Sequence, residues 1–428
     1  MAPPVMKSRG ALAVAAALAV LLACAAPSAA QGSGDFAVFA PGEQLPAGGL
    51  SSKFVVVDAA PTTTNGKAVL RRTTKERSLQ LTPEQAALVL APTPATAPTD
   101  APGVESAASY APESGEAVPL AQGTSGYSFT DTRVARSASA FAPFVRPAGK
   151  LTMRFGGGWA TCTASLIGKS LLVTAAHCVY DWGSKTMASE IFFTPDFDVG
   201  SPSTNLEFKA RSWAIPSAYA QGTDTCQVPG VVCSNDVAVV WLGVNSAGQQ
   251  AFQAAGNRYF NYMVNAFEAT AQSRPGESSV VVPKYLAISQ LGYPGSWDGA
   301  GKMQMSNSPG FQLNQAVNGK TMKNIVRGTA MTGGSSGGPW LLNLGVDAAA
   351  SDGVTYGSVA TRNAVVGVTS WGYTDNAIKL QGASQFATNA EFPSAKYGIR
   401  GGGNIGALVD FACDSTGGWG LQAKGFCR

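Results

Sequence analysis

Histidine is nearly absent from this sequence, since His177 is the only one among 428 residues. Seven cysteines are the remaining soft metal ligands, and their spacing does not match a zinc site. Charged residues amount to only 13%, and neither a basic cluster nor an aromatic stacking platform accompanies the net charge of +4. We therefore expect no metal, no organic cofactor and no nucleic-acid partner.

Long apolar runs are also missing beyond the first thirty residues, which predicts a soluble mature chain. Residues 1–30 join a positively charged start to the apolar run ALAVAAALAVLLA, as is typical of a secretory signal peptide. A small-x-small cleavage site ends at Ala30, whereas the box LLAC would instead make Cys24 a lipid anchor. We favour simple cleavage and expect a secreted, extracellular protein without a membrane anchor, with lipidation as the alternative.

Glycine and proline are plentiful, at 50 and 25 residues, which favours a turn-rich β protein over a helical bundle. From residue 150 onward, short runs of Val, Ile, Leu, Phe and Thr alternate with Gly, Ser and Asn. The runs are KLTMRF, WATCTASLI, SLLVTAA, EIFFTP, DVAVVWLG, YLAISQLGYPG, PWLLNLG and AVVGVTSWG. This spacing predicts an all-β sandwich or barrel, followed by one helix in NIGALVDFA with Asn404 as its cap.

Residues 31–126 are expected to be a pro-segment and linker, because much of this stretch is rich in Ala, Pro, Thr and Ser. Inside it, KFVVVDA is a candidate strand and TPEQAALVL a candidate helix, with Thr82 and Gln85 forming a capping box. The remaining residues, 127–428, are expected to be the main domain. Candidate processing points, which are equally consistent with ordinary exposed arginines, are Arg71, Arg72, Arg133 and Arg136.

An even number of cysteines follows the signal peptide, which predicts disulfides in a secreted chain. Six cysteines permit about fifteen sets of pairings. The sequence spacing favours neighbours, namely Cys162 with Cys178, Cys226 with Cys233 and Cys413 with Cys427.

The lone histidine lies in the stretch TAAHC, which alone is as consistent with a structural ring as with a catalytic base. A second stretch, TGGSSGGPW, places glycines around serine, so that a tight turn can expose the hydroxyl while backbone N–H groups converge on an oxyanion. The alternative is a flexible Gly-Ser loop. Ser335 and Ser336 both fit the frame G-x-S-x-G, but the stricter frame G-x-S-G-G-P admits only Ser336.

One acidic residue, Asp236 in SNDVAVVWLG, stands at the start of an apolar run, where a carboxylate needs a partner. It is either a turn residue that caps the strand or a carboxylate that orients an imidazole. Asp181, four residues after His177, is a rival that we expect to face solvent.

The order histidine, aspartate, serine excludes the α/β-hydrolase arrangement. With TAAHC, NDVAVV, GSSGGP and TSWG in this order, the chain resembles the chymotrypsin-like (trypsin-like) serine protease family. The stretches LGYPG, TGGSSGG and DTRV are similar in style to the glutamyl endopeptidase-like branch. The resemblance covers the last two-thirds of the chain and implies two six-stranded antiparallel β-barrels with a C-terminal helix.

The resemblance also implies roles for individual residues. His177 is expected to be the general base, Asp236 its orienting acid, and Ser336 the nucleophile that forms an acyl-enzyme with a protein or peptide substrate. The N–H groups of Gly334 and Ser336 would form the oxyanion hole, the bridge from Cys162 would fasten the histidine loop, and the molecule would be a monomer. The residues expected to contact the substrate are Ala330, Met331, Thr369, Ser370, Trp371 and Gly372.

Three positions depart from the better-known members of the family. Ser335 stands where vertebrate digestive proteases carry the aspartate that binds a new N-terminus, and no IVGG-type sequence precedes the first strand. Thr369 replaces the histidine on which glutamate preference relies, and Ala330 replaces the aspartate of trypsin-type enzymes. We therefore expect an uncharged residue at P1, unless Asp352 or Asp375 reaches the pocket from a loop.

Two functions from other classes remain open at this stage. An inactive protease homologue would bind an extracellular partner, although the complete set of histidine, aspartate and serine argues against it. A structural extracellular protein would leave the four motifs without an explanation.

Overall fold

The computed structural model describes residues 36–39, 53–59, 74–88, 127–134, 142–201, 206–268, 285–345, 363–414 and 417–427. The expected signal peptide, the Pro/Ala-rich stretch after residue 90, and Arg71, Arg72, Arg136 and Asp352 lie outside the described residues.

The described part of the chain is mostly β-strand. The strands are β1 (Phe36–Phe39), β2 (Phe54–Asp58), β3 (Lys75–Glu76), β4 (Leu79–Leu81), β5 (Thr130–Arg133), β6 (Ala148–Phe155), β7 (Gly158–Leu166), β8 (Leu171–Thr174), β9 (Glu190–Pro195), β10 (Phe208–Pro216), β11 (Cys226–Val228), β12 (Val232–Cys233), β13 (Ala238–Leu242), β14 (Asn261–Tyr262), β15 (Tyr285–Gly292), β16 (Gln304–Val317), β17 (Lys320–Gly328), β18 (Pro339–Leu342), β19 (Ala364–Tyr373) and β20 (Leu380–Gln385). The α-helices are α1 (Pro83–Leu88), α2 (Ala142–Val145), α3 (Ser217–Gln221), α4 (Ala251–Ala254) and α5 (Gly403–Cys413).

Two closed antiparallel barrels organise these strands, so the predicted fold is confirmed. In barrel 1 the order is β10, β13, β8, β7, β6 and β9, and β9 pairs back to β10. In barrel 2 the order is β19, β18, β15, β16, β17 and β20, and β20 pairs back to β19. Closure pairs most of the strand edges within each barrel and leaves a cleft between the two barrels.

Every run predicted as a strand contains one, but among the twelve barrel strands β10, β16, β17 and β20 were not foreseen, and neither were the short strands β1, β3, β4, β5, β11, β12 and β14. The sequences of β16 and β20, QMSNSPGFQLNQAV and LQGASQ, lack a continuous apolar pattern. All six residues of β20 are nevertheless buried, because its polar side chains find partners: Gln381 bonds Gln290 of barrel 2, and Ser384 bonds the Ser234 carbonyl in the loop before β13.

The expected C-terminal helix is present as α5, but the expected cap is wrong. Gly402 occupies the N-cap position and α5 begins at Gly403, so Asn404 lies inside the first turn. The Asn404 side chain is buried and accepts a hydrogen bond from the Ala387 N–H at 3.2 Å. The Asn404 side chain therefore links the helix to the residues that follow β20, and it is not the N-cap of the helix.

The N-terminal region is built into both barrels. Strand β2 pairs antiparallel with β10, and its residues Phe54 to Val57 are buried. Strands β3 and β4 run parallel to β7 and β19, and β5 pairs with β16. The expected strand and helix in this region are confirmed, including the capping box in which the Thr82 N–H donates to Gln85 Oε1 at 3.0 Å.

The three expected disulfides are present: Cys162–Cys178, Cys226–Cys233 and Cys413–Cys427. Among the residues that the structure describes, no helix is long and apolar enough to cross a membrane.

Candidate active site

A disulfide fastens the histidine loop to a neighbouring strand. His177 lies in a single turn of 3-10 helix, Ala176–Cys178, directly after β8. The disulfide from Cys178 to Cys162 ties this turn to β7, and the His177 side chain is only 2% exposed. The imidazole therefore has a defined position in the wall of barrel 1 that faces the cleft.

Asp236 lies two residues before the start of β13 and is fully buried. Its Oδ1 accepts a hydrogen bond from the His177 backbone N–H at 2.8 Å, and its Oδ2 lies 2.8 Å from His177 Nδ1. The Ser370 hydroxyl also donates to Oδ2, at 2.6 Å. A carboxylate at Nδ1 places the ring proton there, which leaves Nε2 as an acceptor.

The rival acid, Asp181, is positioned differently. Its side chain is 42% exposed and forms an ion pair with the guanidinium group of Arg77. No hydrogen bond connects Asp181 to the imidazole within the described residues, and its exposure agrees with the expectation that it faces solvent.

The serine turn depends on glycine backbone geometry. Gly334 has φ +92° and Gly337 has φ +76°, conformations that L side chains rarely adopt. Neither the Gly334 N–H nor the Ser336 N–H donates a hydrogen bond to another described residue. These two donors therefore remain available to a ligand in the cleft.

The two adjacent serines point to different surroundings. The Ser335 hydroxyl donates to the Thr332 carbonyl at 2.7 Å and accepts from Gln381 Nε2 at 3.2 Å, inside barrel 2. Ser336 is 3% exposed and lines a cavity formed by barrel 2 and by residues 78–80. Its hydroxyl forms no hydrogen bond with His177 Nε2 in the described structure.

A cavity beside Ser336 contains most of the expected substrate contacts. Its lining includes Ala330, Met331, Thr369, Trp371 and Gly372. Ser370 is absent from the lining because its side chain is turned to Asp236. The cavity mouth also contains Asp375, whose carboxylate accepts from the Ala377 N–H in an exposed turn, and Lys379.

Sequence reasoning missed the polar network beneath this cavity. Gln381 Nε2 donates to the Met331 carbonyl at 2.8 Å, and Gln381 Oε1 accepts from Gln290 Nε2 at 2.7 Å. Gln290 in turn accepts from the buried guanidinium of Arg327 at 3.1 Å. Burial lowers the pKa of Arg327 to about 9. Gln381 lies on β20, a strand that the sequence analysis did not predict. Nothing in the sequence pattern therefore identified Gln381 as a pocket residue.

A second buried carboxyl group supports the turn before Asp236. Asp224 accepts hydrogen bonds from the backbone N–H and the side-chain amide of Asn235, both at 2.8 Å. Desolvation, together with the nearby charge of Glu391, raises the pKa of Asp224 to about 7, although the hydrogen bonds from Asn235 act in the opposite direction. Since Asn235 directly precedes Asp236, this contact helps to hold the Asp236 carboxylate in place.

Two clusters of potential metal ligands occur among the described residues. One contains His177 with Cys162 and Cys178, and the other contains Asp224 with Cys226 and Cys233. In both clusters the two cysteines are joined in a disulfide and offer no thiolate. Each cluster therefore retains one ordinary ligand, which is too few for a protein metal site.

Barrel 1 carries the buried His177–Asp236 pair, and barrel 2 carries the serine turn. A double barrel with this arrangement is the architecture of a chymotrypsin-like serine peptidase. The model of the family described as Trypsin matches residues 148–391, which is more than half of the chain. The protein belongs to this family and is a serine peptidase.

Several solved structures are similar to this chain. They are a thermostable serine protease, AL20, from an extremophilic microorganism (22% identity, 57% of this chain and 93% of that chain, TM-score 0.40), the protease Anisep from Arthrobacter nicotinovorans (20%, 57% and 91%, TM-score 0.40) and a Glu endopeptidase (17%, 60% and 91%, TM-score 0.38). No significant match was found among curated protein sequences.

Proposed function

We propose that this protein is a secreted endopeptidase that hydrolyses peptide bonds through His177, Asp236 and Ser336. The observation that carries the proposal is the buried chain of hydrogen bonds from Ser370 to Asp236 and from Asp236 to His177. A carboxylate held in this way orients the imidazole and stabilises the imidazolium that forms when Nε2 accepts a proton.

The proposed reaction has two steps. Ser336 Oγ attacks the peptide carbonyl carbon while its proton passes to His177 Nε2, and the tetrahedral oxyanion is held by the N–H groups of Gly334 and Ser336. His177 then protonates the leaving amine, which leaves an acyl-enzyme that water hydrolyses by the reverse sequence of proton transfers. Each oxyanion donor would contribute on the order of 3 kcal/mol in the transition state.

The missing hydrogen bond between Ser336 and His177 is the one observation that favours an inactive homologue. Such bonds are often loose in proteases without substrate, and rotation of the serine side chain about one bond changes the position of Oγ. Labelling of the serine therefore decides between the two functions.

A fluorophosphonate probe tests the nucleophile, because it reacts only with an activated serine. The Ser336→Ala variant should not be labelled, even in prolonged incubations, whereas Ser335→Ala should be labelled. Intact-mass spectrometry measures the adduct. The reverse pattern would refute the assignment.

The cavity residues support a preference for an uncharged P1 side chain. The side chains of Ala330, Met331 and Thr369 carry no charge, and beneath them lies the neutral amide of Gln381. A charged P1 group would lose hydration without a buried partner, which costs several kcal/mol. The lining also includes two charged residues, Asp375, which is exposed and whose carboxylate caps a turn, and Lys379, which is half-buried. The proposal therefore holds for a P1 side chain that does not reach either of them.

Cleavage of a diverse peptide library, followed by mass spectrometry, measures this preference. Small or apolar residues should predominate at P1, and the Ser336→Ala variant should release no fragments. Cleavage mainly after Lys, Arg or Glu would contradict the pocket proposal while leaving the proposed nucleophile intact.

We also propose the chain organisation implied by the sequence. Residues 1–30 would direct secretion, residues 31–126 would be a pro-segment with linker, and residues 127–428 would be the protease domain. The signal-like start and the three disulfides support export to an oxidising environment. The protein would then be made as a zymogen and act as a monomer.

A further inference from the structure

One segment of the N-terminal region, residues 74–81, crosses the cleft between the barrels. At its upstream end, Lys75 and Glu76 pair in parallel with β7 of barrel 1. At its downstream end, Leu79 to Leu81 pair in parallel with Trp371 to Tyr373 of barrel 2. The segment therefore bridges the two barrels across the proposed active site.

The downstream pairing uses the same strand edge that a substrate would need. On one side, Trp371 and Gly372 are paired with Gly382 and Gln381 of β20. On the other side, the pairing with β18 ends at Val368, and the backbone of Thr369 still bonds Gly337 and Gly338. The edge beyond Thr369 is therefore open to another strand. Strand β4 pairs with this edge, so a peptide substrate cannot pair there at the same time.

The middle of the segment lies against the serine turn and the histidine loop. A Cβ atom added to Gly333 would meet Ser78 Oγ at 3.1 Å and Glu76 Cβ at 3.2 Å, so both side chains pack on the turn. Arg77 Nε donates to the His177 carbonyl at 2.6 Å. The Arg77 guanidinium also pairs with Asp181 and stacks on Phe155 at 3.8 Å.

Both ends of the segment are held by side chains. The Thr161 hydroxyl donates to the hydroxyl of Thr74 at 2.6 Å, and the Thr374 hydroxyl donates to the Leu81 carbonyl at 3.0 Å. The Leu81 side chain is buried in a cluster that includes Trp371. With this segment in place, the side chains of His177 and Ser336 are almost completely covered.

The direction of the segment differs from that expected for a substrate. A substrate strand would run antiparallel to Ser370–Gly372, whereas β4 runs parallel to this part of β19. In the reversed direction, carbonyl and N–H groups exchange their places along the strand. Consistent with this, neither oxyanion donor, Gly334 N–H or Ser336 N–H, bonds a carbonyl of the segment.

We propose that residues 74–81 are an inhibitory strand that fills the substrate cleft with reversed backbone polarity. This inference rests on the proposed function, and it explains how the segment covers the nucleophile without presenting a scissile bond. Release of the segment, rather than a new N-terminal salt bridge, is then the event that opens the site.

The test compares two carboxylate substitutions on neighbouring residues of β4 in the full-length chain. Leu81→Asp places a charge in the buried cluster and should expel the strand, whereas Gln80→Asp places the same charge on an exposed residue. The rate of fluorophosphonate labelling of Ser336 should rise at least about 10-fold in Leu81→Asp and remain unchanged in Gln80→Asp. Arg77→Ala, which leaves the core intact, should give a smaller rise.

Hydrogen exchange at the amides of residues 371–373 provides a readout that does not depend on activity. Exchange should be slow in the unmodified chain and in Gln80→Asp, and faster in Leu81→Asp. Equal labelling rates in all variants, with the exchange difference intact, would overturn the inhibitory role alone. If no variant is labelled although exchange shows an open cleft, the proposed nucleophile is wrong and the inhibitory role fails with it.

Discussion

Gly334 and Gly337 show, at the scale of single residues, why glycine surrounds the serine. Both have positive φ, and both approach other backbone closely. A Cβ atom on Gly337 would overlap Thr174 Oγ1 and the Thr163 carbonyl, which belong to barrel 1. The glycine is therefore required by the close approach of the two barrels, in addition to its conformational freedom.

Replacement of Gly337 by alanine should reduce activity at least about 100-fold, because the serine turn must shift to relieve the overlap. Gly319→Ala is a matched control, since Gly319 has the same φ of +76° and nothing within 4 Å of its added Cβ. The control should lose about 1–2 kcal/mol of unfolding free energy from backbone strain and keep its activity. Denaturant unfolding and peptide cleavage measure the two effects, and equal loss of activity in both variants would argue against the overlap.

At the scale of secondary-structure elements, the disulfides join short loops to strands and to a helix. The bridge Cys162–Cys178 spans 16 residues and fastens the histidine turn to β7. The bridge Cys413–Cys427 spans 14 residues and fastens the end of α5 to the C-terminal tail. Because the loops are of similar length, chain entropy predicts a similar stabilisation of about 3 kcal/mol from each.

Removal of either bridge by paired Cys→Ala substitutions should therefore lower the unfolding free energy by a comparable amount. Only the loss of Cys162–Cys178 should also slow peptide cleavage, by about 10-fold or more, because His177 lies next to that bridge. Cleavage assays well below the unfolding transition separate the two effects. A similar loss of activity without Cys413–Cys427 would show that the first bridge has no specific role in positioning the histidine.

At the scale of the whole molecule, Thr163 connects the two barrels behind the serine turn. Its buried hydroxyl donates to the Gly334 carbonyl at 2.8 Å and accepts from the Tyr293 N–H at 3.0 Å. Its backbone N–H donates to the Ser336 carbonyl at 2.8 Å. A residue of barrel 1 thereby helps to position the serine turn of barrel 2.

Thr163→Val should lower the unfolding free energy by about 2–4 kcal/mol, because a carbonyl and an N–H lose their partner while buried. Activity should also fall, since the Gly334 peptide is no longer held. Thr152→Val, on the neighbouring strand β6 and half-buried, is the control and should change stability by less than about 1 kcal/mol. Thermal unfolding and peptide cleavage provide the measurements; a Thr163 variant as stable as the control would exclude a role in barrel docking.

The sequence predicted the strands with continuous apolar runs, the three disulfides and the candidate residues His177, Asp236 and Ser336. These features are local, because each depends on a short motif, a spacing or a chain order. Strands β16 and β20 were missed, since their polar residues are buried only through partners that come from other strands. The cap of α5 was misplaced for a related reason, because the Asn404 side chain lies inside the first turn and accepts from the Ala387 N–H of another segment as well as from the Ile405 N–H of its own helix.

By itself, the sequence determined the chemical groups and the type of fold, since periodicity, cysteine spacing and motif order are properties of the chain alone. Only the tertiary structure decided that Gln381 lies beneath the pocket and that residues 74–81 occupy the cleft. The pairing of Leu79 with Trp371 joins residues far apart in the chain. Neither stretch has a sequence pattern that predicts the parallel direction of this pairing. All residues form backbone hydrogen bonds, and the direction of a strand pair depends on the path of the chain between the two strands.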